Sequence, residues 1–378
     1  MQRFAQDPRA PGFVADPYPF YDRLRAAGPL VFWEELRMPV AAGHAEVAAI
    51  LKDARLGRAR ELPSGPPHLA PFWEVERRSL LELEPPEHTA LRARVLRAFT
   101  SRRVAALAPR IAALADDLVA AFPSGPFDLL DAYARPIPVR TIARLLGVPE
   151  ADSPDLLRWS NAMVGMYRPA PSPTDERAAG VAARDFRDYL LGHMAAKRRT
   201  PAEDLLSDLA QGGLPDADVV STAILLLNAG HEATVHAIGL AAARLLADGA
   251  SEVTEGWAEE ALRIDPPLHL FTRHAYREVA IGDHVLRPGD EVGLLLGAAN
   301  RDAAVWPDPA RFDPARAHRG QAAFGLGIHF CLGAPLARLE LRIALERLAA
   351  AGLRLMEAPR IADIWHFRGY EAVSVERG

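Results

Sequence analysis

The spacing of apolar and polar residues predicts a mainly helical chain. Apolar positions recur every three to four residues, the period of an amphipathic helix, over 16–24, 44–52, 103–122, 136–146, 153–166, 175–197, 216–248 and 334–348. A further helix is predicted to begin near Glu87, directly after two prolines and with an acid in its first turn.

Strand patterns are fewer and shorter. They occupy 31–33 and 38–40, which predict one hairpin, and 268–273. A second hairpin is predicted from 279–286 and 290–296, around the turn Arg287-Pro288-Gly289-Asp290. Residues 55–84 are rich in proline and glycine and predict a loop. The expected fold class is therefore mainly α with small β-sheets.

The predicted helix 216–248 has an unusually apolar middle, residues 223–227, which indicates a central, buried helix. Polar and small residues then interrupt it at Asn228-Ala229-Gly230-His231-Glu232-Ala233-Thr234. Small residues in a buried helix let a cofactor or another helix come close. Glu232 and Thr234 could bend the local hydrogen bonding and admit water. The alternative for Glu232 is a structural carboxylate.

Composition narrows the function classes. The chain has 378 residues, a net charge of −5 and one cysteine. Without a dense Lys/Arg face, nucleic acid binding is not expected. One cysteine excludes a disulfide framework and any zinc or iron–sulfur site that needs several thiolates. No apolar segment resembles a secretory signal or reaches the roughly 20 residues that span a bilayer. We expect a cytoplasmic protein without a membrane anchor.

The cysteine, Cys331, lies in a glycine-rich stretch, residues 323–335, which we call the cysteine loop. A predicted helix follows it. Backbone N–H groups and the positive end of that helix would favour a thiolate over a thiol. The alternative is a small buried core cysteine, the usual environment of a free thiol.

The run Phe324-Gly325-x-Gly327-x-His329-x-Cys331-x-Gly333 resembles, position for position, the cysteine-ligand loop of the cytochrome P450 family. The resemblance implies a single P450 domain over 1–378. It also implies haem b, held between the long helix 216–248 and the helix after the loop, with Cys331 as the axial thiolate on the iron. Phe324 would pack beside the ligand, Gly325 and Gly333 would let the loop approach the porphyrin, and His329 would bind a propionate.

Three more residues are implied as propionate partners. His88 and Arg92 lie four residues apart and therefore on one helical face, and they resemble the His-x-x-x-Arg pair of the family's haem-bordering helix. Arg273 matches a third position, in the strand pattern 268–273. A guanidinium pairs bidentately with a carboxylate. The alternative for His88 and Arg92 is a solvated surface.

The interruption in the long helix resembles the family's oxygen-binding motif, Ala/Gly-Gly-x-Asp/Glu-Thr-Thr/Ser. Ala229, Gly230 and Glu232 match it, whereas Ala233 stands where the family usually has threonine, and Thr234 takes the last place. Because that threonine helps to deliver protons to dioxygen, delivery here would depend on Glu232, Thr234, an ordered water or a substrate hydroxyl.

A structural motif and a substrate pocket are also implied. Glu260 and Arg263, with Arg316, resemble the family's buried ion-pair motif beneath the cysteine loop. The residues proposed to line the pocket are mostly apolar: Phe72, Leu226, Leu270, Phe271 and Phe367. For Phe72, packing onto the protein body is an equal alternative. The two long helices joined by the proline-rich residues 169–173 resemble the family's lid over the substrate channel.

The implied activity is a monooxygenase that oxidises a small hydrophobic substrate with dioxygen. Its electrons would come from NAD(P)H through a separate ferredoxin reductase and ferredoxin, docking on the basic cysteine-ligand side. The resemblance assigns Arg94, Arg97, Arg102 and Arg103 to that side, and the alternative for each of them is a solvated charged face. Enzymatic alternatives are oxidative coupling and peroxide-driven chemistry. A haem sensor or electron carrier without turnover is the alternative outside enzymes; it would not need Glu232.

Overall fold

The described part of the chain contains fifteen α-helices and eleven β-strands, joined by turns, loops and short 3₁₀ and π segments. The computed structural model describes residues 1–58, 65–167, 171–317 and 320–378. The helices are α1 (Pro11–Ala15), α2 (Tyr18–Ala27), α3 (His44–Lys52), α4 (Ala70–Glu76), α5 (Glu87–Ala98), α6 (Ser101–Ala106), α7 (Ala108–Ala120), α8 (Pro136–Leu146), α9 (Ser153–Val164), α10 (Pro173–Arg199), α11 (Leu205–Gln211), α12 (Asp216–Asp248), α13 (Glu255–Ile264), α14 (Leu296–Ala299) and α15 (Ala334–Ala349).

The strands are short, and the prediction of a mainly α fold with small sheets is confirmed. They are β1 (Arg3–Phe4), β2 (Val31–Trp33), β3 (Met38–Ala41), β4 (Leu56–Gly57), β5 (Phe127–Asp128), β6 (Leu270–Ala275), β7 (Val279–Ile281), β8 (His284–Leu286), β9 (Glu291–Leu295), β10 (Leu353–Leu355) and β11 (Ser374–Arg377).

The chain packs into two compact units. The first comprises Met1–Arg58, Arg110–Ala134 and Ala233–Gly378, and the second comprises Ala59–Pro109 and Arg135–Glu232. The first unit holds all the strands described above, and the second is helical.

The main sheet of the first unit has six strands in the order β1-β2-β3-β9-β6-β4. β6 and β9 are antiparallel, with Arg273 opposite Val292, and β9 runs parallel to β3. One apolar cluster includes residues of α3 and β9, such as Ile50 and Leu294, and another joins aromatic residues around Trp33. Burying a large apolar side chain contributes roughly 1.5–3 kcal/mol, so these clusters hold β6 firmly in place.

In the second unit α10 packs along α9 and α4. Ser172 caps α10, its hydroxyl accepting from the Asp175 N–H while the Asp175 carboxylate accepts from the Ser172 N–H. Gly180 lies so close to residues 67–69 that a Cβ there would stand 1.9 Å from the carbonyl oxygen of His68. The contact between α10 and the segment before α4 therefore requires glycine.

Several sequence predictions are wrong in detail. The predicted loop 55–84 contains β4 and α4; α4 forms because Pro71 lies in its first turn, where a missing N–H costs nothing. The predicted helix 103–122 is two helices, divided near Leu107, because Pro109 can only open a new helix. α11 and α14 were not predicted. Part of the predicted connector 169–173 lies outside the described residues.

The predicted hairpin of 279–286 with 290–296 is also wrong. β7 pairs with β8 inside the first run, through a turn at Gly282, whose φ is +56°. β9 pairs instead with β6 and β3. The turn at Arg287-Pro288-Gly289-Asp290 is present, and the Arg287 N–H donates to the Asp290 carboxylate at 2.7 Å. It joins two strands that belong to different sheets.

Candidate functional site

The cysteine loop folds back on itself just before α15. The Cys331 N–H donates to the Phe324 carbonyl at 2.9 Å, and the Phe330 N–H donates to the Gly327 carbonyl at 3.1 Å. The Cys331 side chain is half-buried, three residues before the first residue of α15. Backbone hydrogen bonds therefore fix the position of the chain's one thiol.

Glycines are required at two points of this loop. Gly325 and Gly327 have φ values of +67° and +77°, a backbone region that costs other residues about 1–2 kcal/mol. A Cβ at Gly327 would also lie 2.1 Å from the Leu51 carbonyl oxygen. Gly333 lies close to the sulfur, since a Cβ there would stand 3.9 Å from Cys331 Sγ.

The three residues predicted to form the ion-pair motif contact one another. Glu260 and Arg263 are fully buried and joined by two bonds of 2.7 Å, and Arg316 Nε lies 3.3 Å from the Glu260 carboxylate. Arg263 also donates to three backbone carbonyls, those of Asn300, Pro309 and Arg311. The motif thus ties α13 to the segment that precedes the cysteine loop.

A second set of contacts, between α13, α15 and the segment before the cysteine loop, was not predicted from the sequence. Glu259, the neighbour of Glu260, accepts hydrogen bonds from Arg338 on α15 and, at 2.7 Å, from the amide of Gln321 before the loop. The Arg338 guanidinium lies 4.5 Å from the ring centroid of Phe324, a cation–π contact. The sequence shows Glu259 as an acid next to the motif glutamate Glu260. Its position alone does not indicate that Arg338 and Gln321 are its partners.

Of the predicted propionate partners, two lie in the first unit. Arg273, on β6, is 2% exposed, and its Nη1 donates to the Thr272 carbonyl at 2.8 Å. His329 is half-buried, in the short 3₁₀ turn Gly327–His329 of the cysteine loop. The other two lie in the second unit on α5, where His88 is 2% exposed and Arg92 is half-buried one turn later.

One face of α12 is left partly open in the middle of a largely buried helix. Ala229 is exposed, and the other residues of this open face are partly exposed: Leu225, Leu226, Gly230, Glu232, Ala233 and His236. The spacing of three to four residues identifies a single face. Thr234 is only 5% exposed and lies on the buried side. A Cβ at Gly230 would stand 2.9 Å from Ile142 of α8, so this glycine also serves helix packing.

The proposed pocket residues differ in exposure. Leu226, Leu270, Phe271 and Phe367 are all partly exposed, whereas Phe72 is 1% exposed. The burial of Phe72 favours the packing alternative. Phe367 makes an isolated bridge with Leu268 and an edge contact with the ring of His236. Gly369 permits this contact, because a Cβ there would lie 1.8 Å from His236 Nδ1.

A buried charged cluster anchors the segment of Phe367. The Tyr18 hydroxyl donates to Asp265 at 2.7 Å, Arg368 Nε donates to the same carboxylate at 2.8 Å, and the Tyr21 hydroxyl lies 3.0 Å from His269 Nδ1. Burial alone would raise the pKa of Asp265, but Arg368, and after it His269, hold that pKa well below its usual range. Burial lowers the pKa of His269.

The residues present fit a haem. Within the first unit, the half-buried thiol of Cys331 is a ligand suited to haem iron, and the buried guanidinium of Arg273 is a group suited to a propionate. Among residues 1–58, 65–167, 171–317 and 320–378, no cluster of three or more His, Cys, Asp or Glu could hold a separate metal ion. Within the same residues, no helix has the length and apolar content to cross a membrane.

Comparisons with known proteins agree with this geometry. The family profile described as Cytochrome P450 matches residues 252–349. Cytochrome P450 monooxygenase PikC of Streptomyces venezuelae is 38% identical over 365 residues, 89% of this chain and 84% of that protein. The vitamin D(3) 25-hydroxylase of Pseudonocardia autotrophica is 37% identical over 360 residues, 89% of this chain and 87% of that protein. The crystal structure of P450BioI in complex with hexadec-9Z-enoic acid ligated acyl carrier protein matches with a TM-score of 0.91 and 31% identity, covering 97% of this chain and 99% of that one.

Proposed function

Because the chain belongs to the cytochrome P450 family, we propose that it is a haem-thiolate monooxygenase whose iron ligand is the thiolate of Cys331. The observation that supports this most strongly is the cysteine loop, where backbone hydrogen bonds and obligatory glycines present the chain's only thiol beside α15. When bound, the haem supplies the activation of dioxygen. In the overall reaction one oxygen atom enters the organic substrate and the other leaves as water, consuming two electrons and two protons.

Four side chains would hold the haem propionates. Arg273 and His329, and on α5 His88 and Arg92, are groups that bind carboxylates by charge-assisted hydrogen bonds. Phe324 would pack next to the ligand, and its ring centroid lies 4.5 Å from the Arg338 guanidinium. The Glu260, Arg263 and Arg316 cluster keeps the preceding segment in place but does not touch the reacting atoms.

Proton delivery would rest on Glu232. Its side chain belongs to the open face of α12 together with Ala233, whereas Thr234 is on the buried side. Because alanine stands at the usual threonine position, Glu232 would work with a water molecule or with a hydroxyl group of the substrate. Efficient use of dioxygen would then depend on which substrate is bound.

A separate ferredoxin-type protein would supply the electrons. Arg94 donates to the Gly212 carbonyl and Arg103 pairs with Asp208, so these two help to hold α5 and α6 to α11. Arg97 and Arg102 are exposed. Arg94 and Arg97 line a cleft of about 250 Å³. An acidic partner would therefore bind mainly through Arg97 and Arg102.

The substrate would be a small, largely hydrophobic organic molecule. Leu226, Leu270, Phe271 and Phe367 are apolar and partly exposed, as expected of side chains that line a ligand pocket. The named activities of the relatives, on substrates such as vitamin D(3), are compatible with a substrate of this kind.

Two measurements test the proposal. The reduced, haem-loaded protein should show, under carbon monoxide, the long-wavelength absorption band of thiolate-ligated haem, and Cys331→Ala should abolish it. Survival of the band in that variant would refute the assignment of the ligand. A surrogate ferredoxin and reductase should then support substrate-dependent oxidation of reduced nicotinamide. If the band is present but no compound in a broad library supports turnover, the haem sensor or electron carrier is the better interpretation.

A further inference from the structure

The contact between α9 and α12 contains polar groups where an apolar contact would be expected. His231 is 2% exposed, and its ring faces Ser160 and Asn161 of α9, with Nδ1 3.4 Å from the Ser160 hydroxyl and Nε2 3.3 Å from the Asn161 amide oxygen. Asn228, one turn earlier, places its amide nitrogen 3.9 Å from Met163 Sδ. Burying such groups costs free energy, and their best-attested benefit is to fix one register between two elements.

The protonation state of His231 follows from its partners. Nδ1 lies 2.9 Å from the Leu227 carbonyl oxygen, which can only accept, so Nδ1 carries a hydrogen. Burial lowers the pKa of His231, although the bond to Leu227 opposes this, and a ring kept neutral in this way would accept at Nε2. The Asn161 amide presents its oxygen to Nε2, so it would donate to a neutral ring only after a 180° turn of the amide. The imidazole thus bridges the Leu227 carbonyl of α12 and the Asn161 side chain of α9.

The His231 side chain contacts a backbone carbonyl of α12 one turn before its own position, that of Leu227. In a regular helix the Leu227 carbonyl accepts the backbone N–H of His231, so the imidazole shares that acceptor. A side chain that competes for a helix carbonyl loosens and bends the helix locally. The next residue is Glu232. A displacement of α9 is therefore transmitted to the peptide that carries the acid.

We propose that His231 is a positioning residue that couples α9 to the Glu232 segment of α12, so that closure of α9 over a bound ligand sets the acid for proton delivery. This inference rests on the proposed function, in which Glu232 supplies protons, and on the resemblance of α9 and α10 to the family's lid over the substrate channel. His231 does not itself touch the reacting atoms. The coupling gives a physical reason why proton delivery, lacking the usual threonine hydroxyl, would become dependent on substrate.

The test uses haem-loaded protein and econazole as the probe, since its azole nitrogen would bind the iron and place the rest of the drug beside it. Amide hydrogen exchange is followed in residues 153–164 and 227–235. In the unsubstituted protein econazole should slow exchange in both segments, by roughly tenfold. In His231→Leu the first segment should still respond, while the second should change by less than about twofold. His193→Leu, on α10, is the matched control and should respond like the unsubstituted protein.

A second variant distinguishes loss of coupling from misfolding of His231→Leu. Ser160→Ala combined with Asn161→Leu removes the partners from the α9 side and leaves α12 unchanged, and it should uncouple the segments in the same way. The proposal is overturned if either variant keeps the econazole response at 227–235, or if the unsubstituted protein shows none there. Failure of the proposed function has a separate signature, the absence of the long-wavelength carbon monoxide band from the unsubstituted protein.

Discussion

Gly327 lies directly against the backbone of Leu51, the last residue but one of α3. A Cβ at position 327 would stand 2.1 Å from the Leu51 carbonyl oxygen, well inside van der Waals contact. Neither backbone can move independently, because α3 is anchored by the buried side chains of Val47 and Ile50. The shape of the cysteine loop is therefore determined partly by a helix almost 280 positions earlier in the chain.

Gly327→Ala should destabilise the protein and lower its haem content. The alanine would have to adopt a φ of +77° and displace the Leu51 carbonyl, which together should cost roughly 2–5 kcal/mol in the free energy of unfolding. Denaturant unfolding and the ratio of haem to protein measure the two effects. Gly352→Ala is the control, because its φ is +62° but nothing lies within 4 Å of its Cβ position. Equal losses in the two variants would show that the contact with Leu51 is unimportant.

Gly180→Ala should separate α10 from the segment before α4. The new Cβ would stand 1.9 Å from the His68 carbonyl, and overpacking of this kind costs about 1–3 kcal/mol. Because α10 is part of the proposed lid, ligands should also dissociate faster. Stopped-flow dissociation of an azole measures this. Gly192→Ala, on the same helix with open space around it, should instead stabilise the protein by about 0.5–1 kcal/mol.

Glu260→Gln should be strongly destabilising although it changes one atom. It leaves the fully buried Arg263 without its carboxylate, and breaking a buried pair from one side costs about 3–5 kcal/mol. We expect most of the variant to be insoluble or without haem, measured as soluble yield and absorbance. Arg158→Ala, which removes an exposed pair with Asp155, should change stability by no more than about 0.5 kcal/mol. A well-folded Glu260→Gln protein with full haem content would contradict this account.

Stability should fall in two stages as the pH is lowered. The pKa of His269 is depressed by burial, so below the unfolded-state pKa of about 6.5 the unfolded chain binds more protons than the folded one. The pKa of Asp265 is also depressed, and its contribution is lost only below about pH 4. Urea unfolding between pH 5 and 8 measures how the free energy of unfolding changes with pH. This slope should be smaller in His269→Gln than in the unsubstituted protein, though not zero. The buried His231 remains, and its pKa is lowered in the same direction.

Ala233→Thr should improve the coupling of electron use to product formation, most of all with poor substrates. The hydroxyl would be added on the open face of α12, beside Glu232. Product formed and peroxide released per reduced nicotinamide measure coupling. Ala233→Val has nearly the same volume without the hydroxyl and is the control. If both variants behave alike, or if peroxide release in Ala233→Thr is unchanged across several substrates, the missing hydroxyl does not limit proton delivery.

The sequence predicts several periodic helices to the residue, although the predicted helix 103–122 is two helices, and it predicts strand pairing less well. The bounds of α3, α8 and α12 agree with the predicted ranges, because apolar spacing over two or more turns determines both the element and its buried face. The hairpin predicted at 279–296 is wrong, because the turn signal at 287–290 cannot indicate which strand pairs with which. Pairing of β9 with β3 depends on residues some 250 positions away.

In the candidate site, residues that belong to a motif could be predicted, whereas contacts that form only in the folded chain could not. Motifs predicted Cys331, Glu260 and Arg263, since their chemistry needs fixed residue types at fixed spacing, and the structure joins the last two in a buried ion pair. Contacts that depend on the folded backbone were not predicted, among them Glu259 with Arg338 and His231 with Ser160. A histidine within an apolar helix was visible in the sequence. The identity of its partners on α9 was not.

The presence of a single cysteine has a practical consequence for work with this protein. Any thiol-directed reagent, whether a spin label, a fluorescent maleimide or a crosslinker, acts only at the half-buried Cys331. Under the proposed ligation, coordination by iron and alkylation would compete for the same sulfur. The extent of labelling would then count the molecules that lack the prosthetic group, and no background cysteine has to be removed by mutagenesis first.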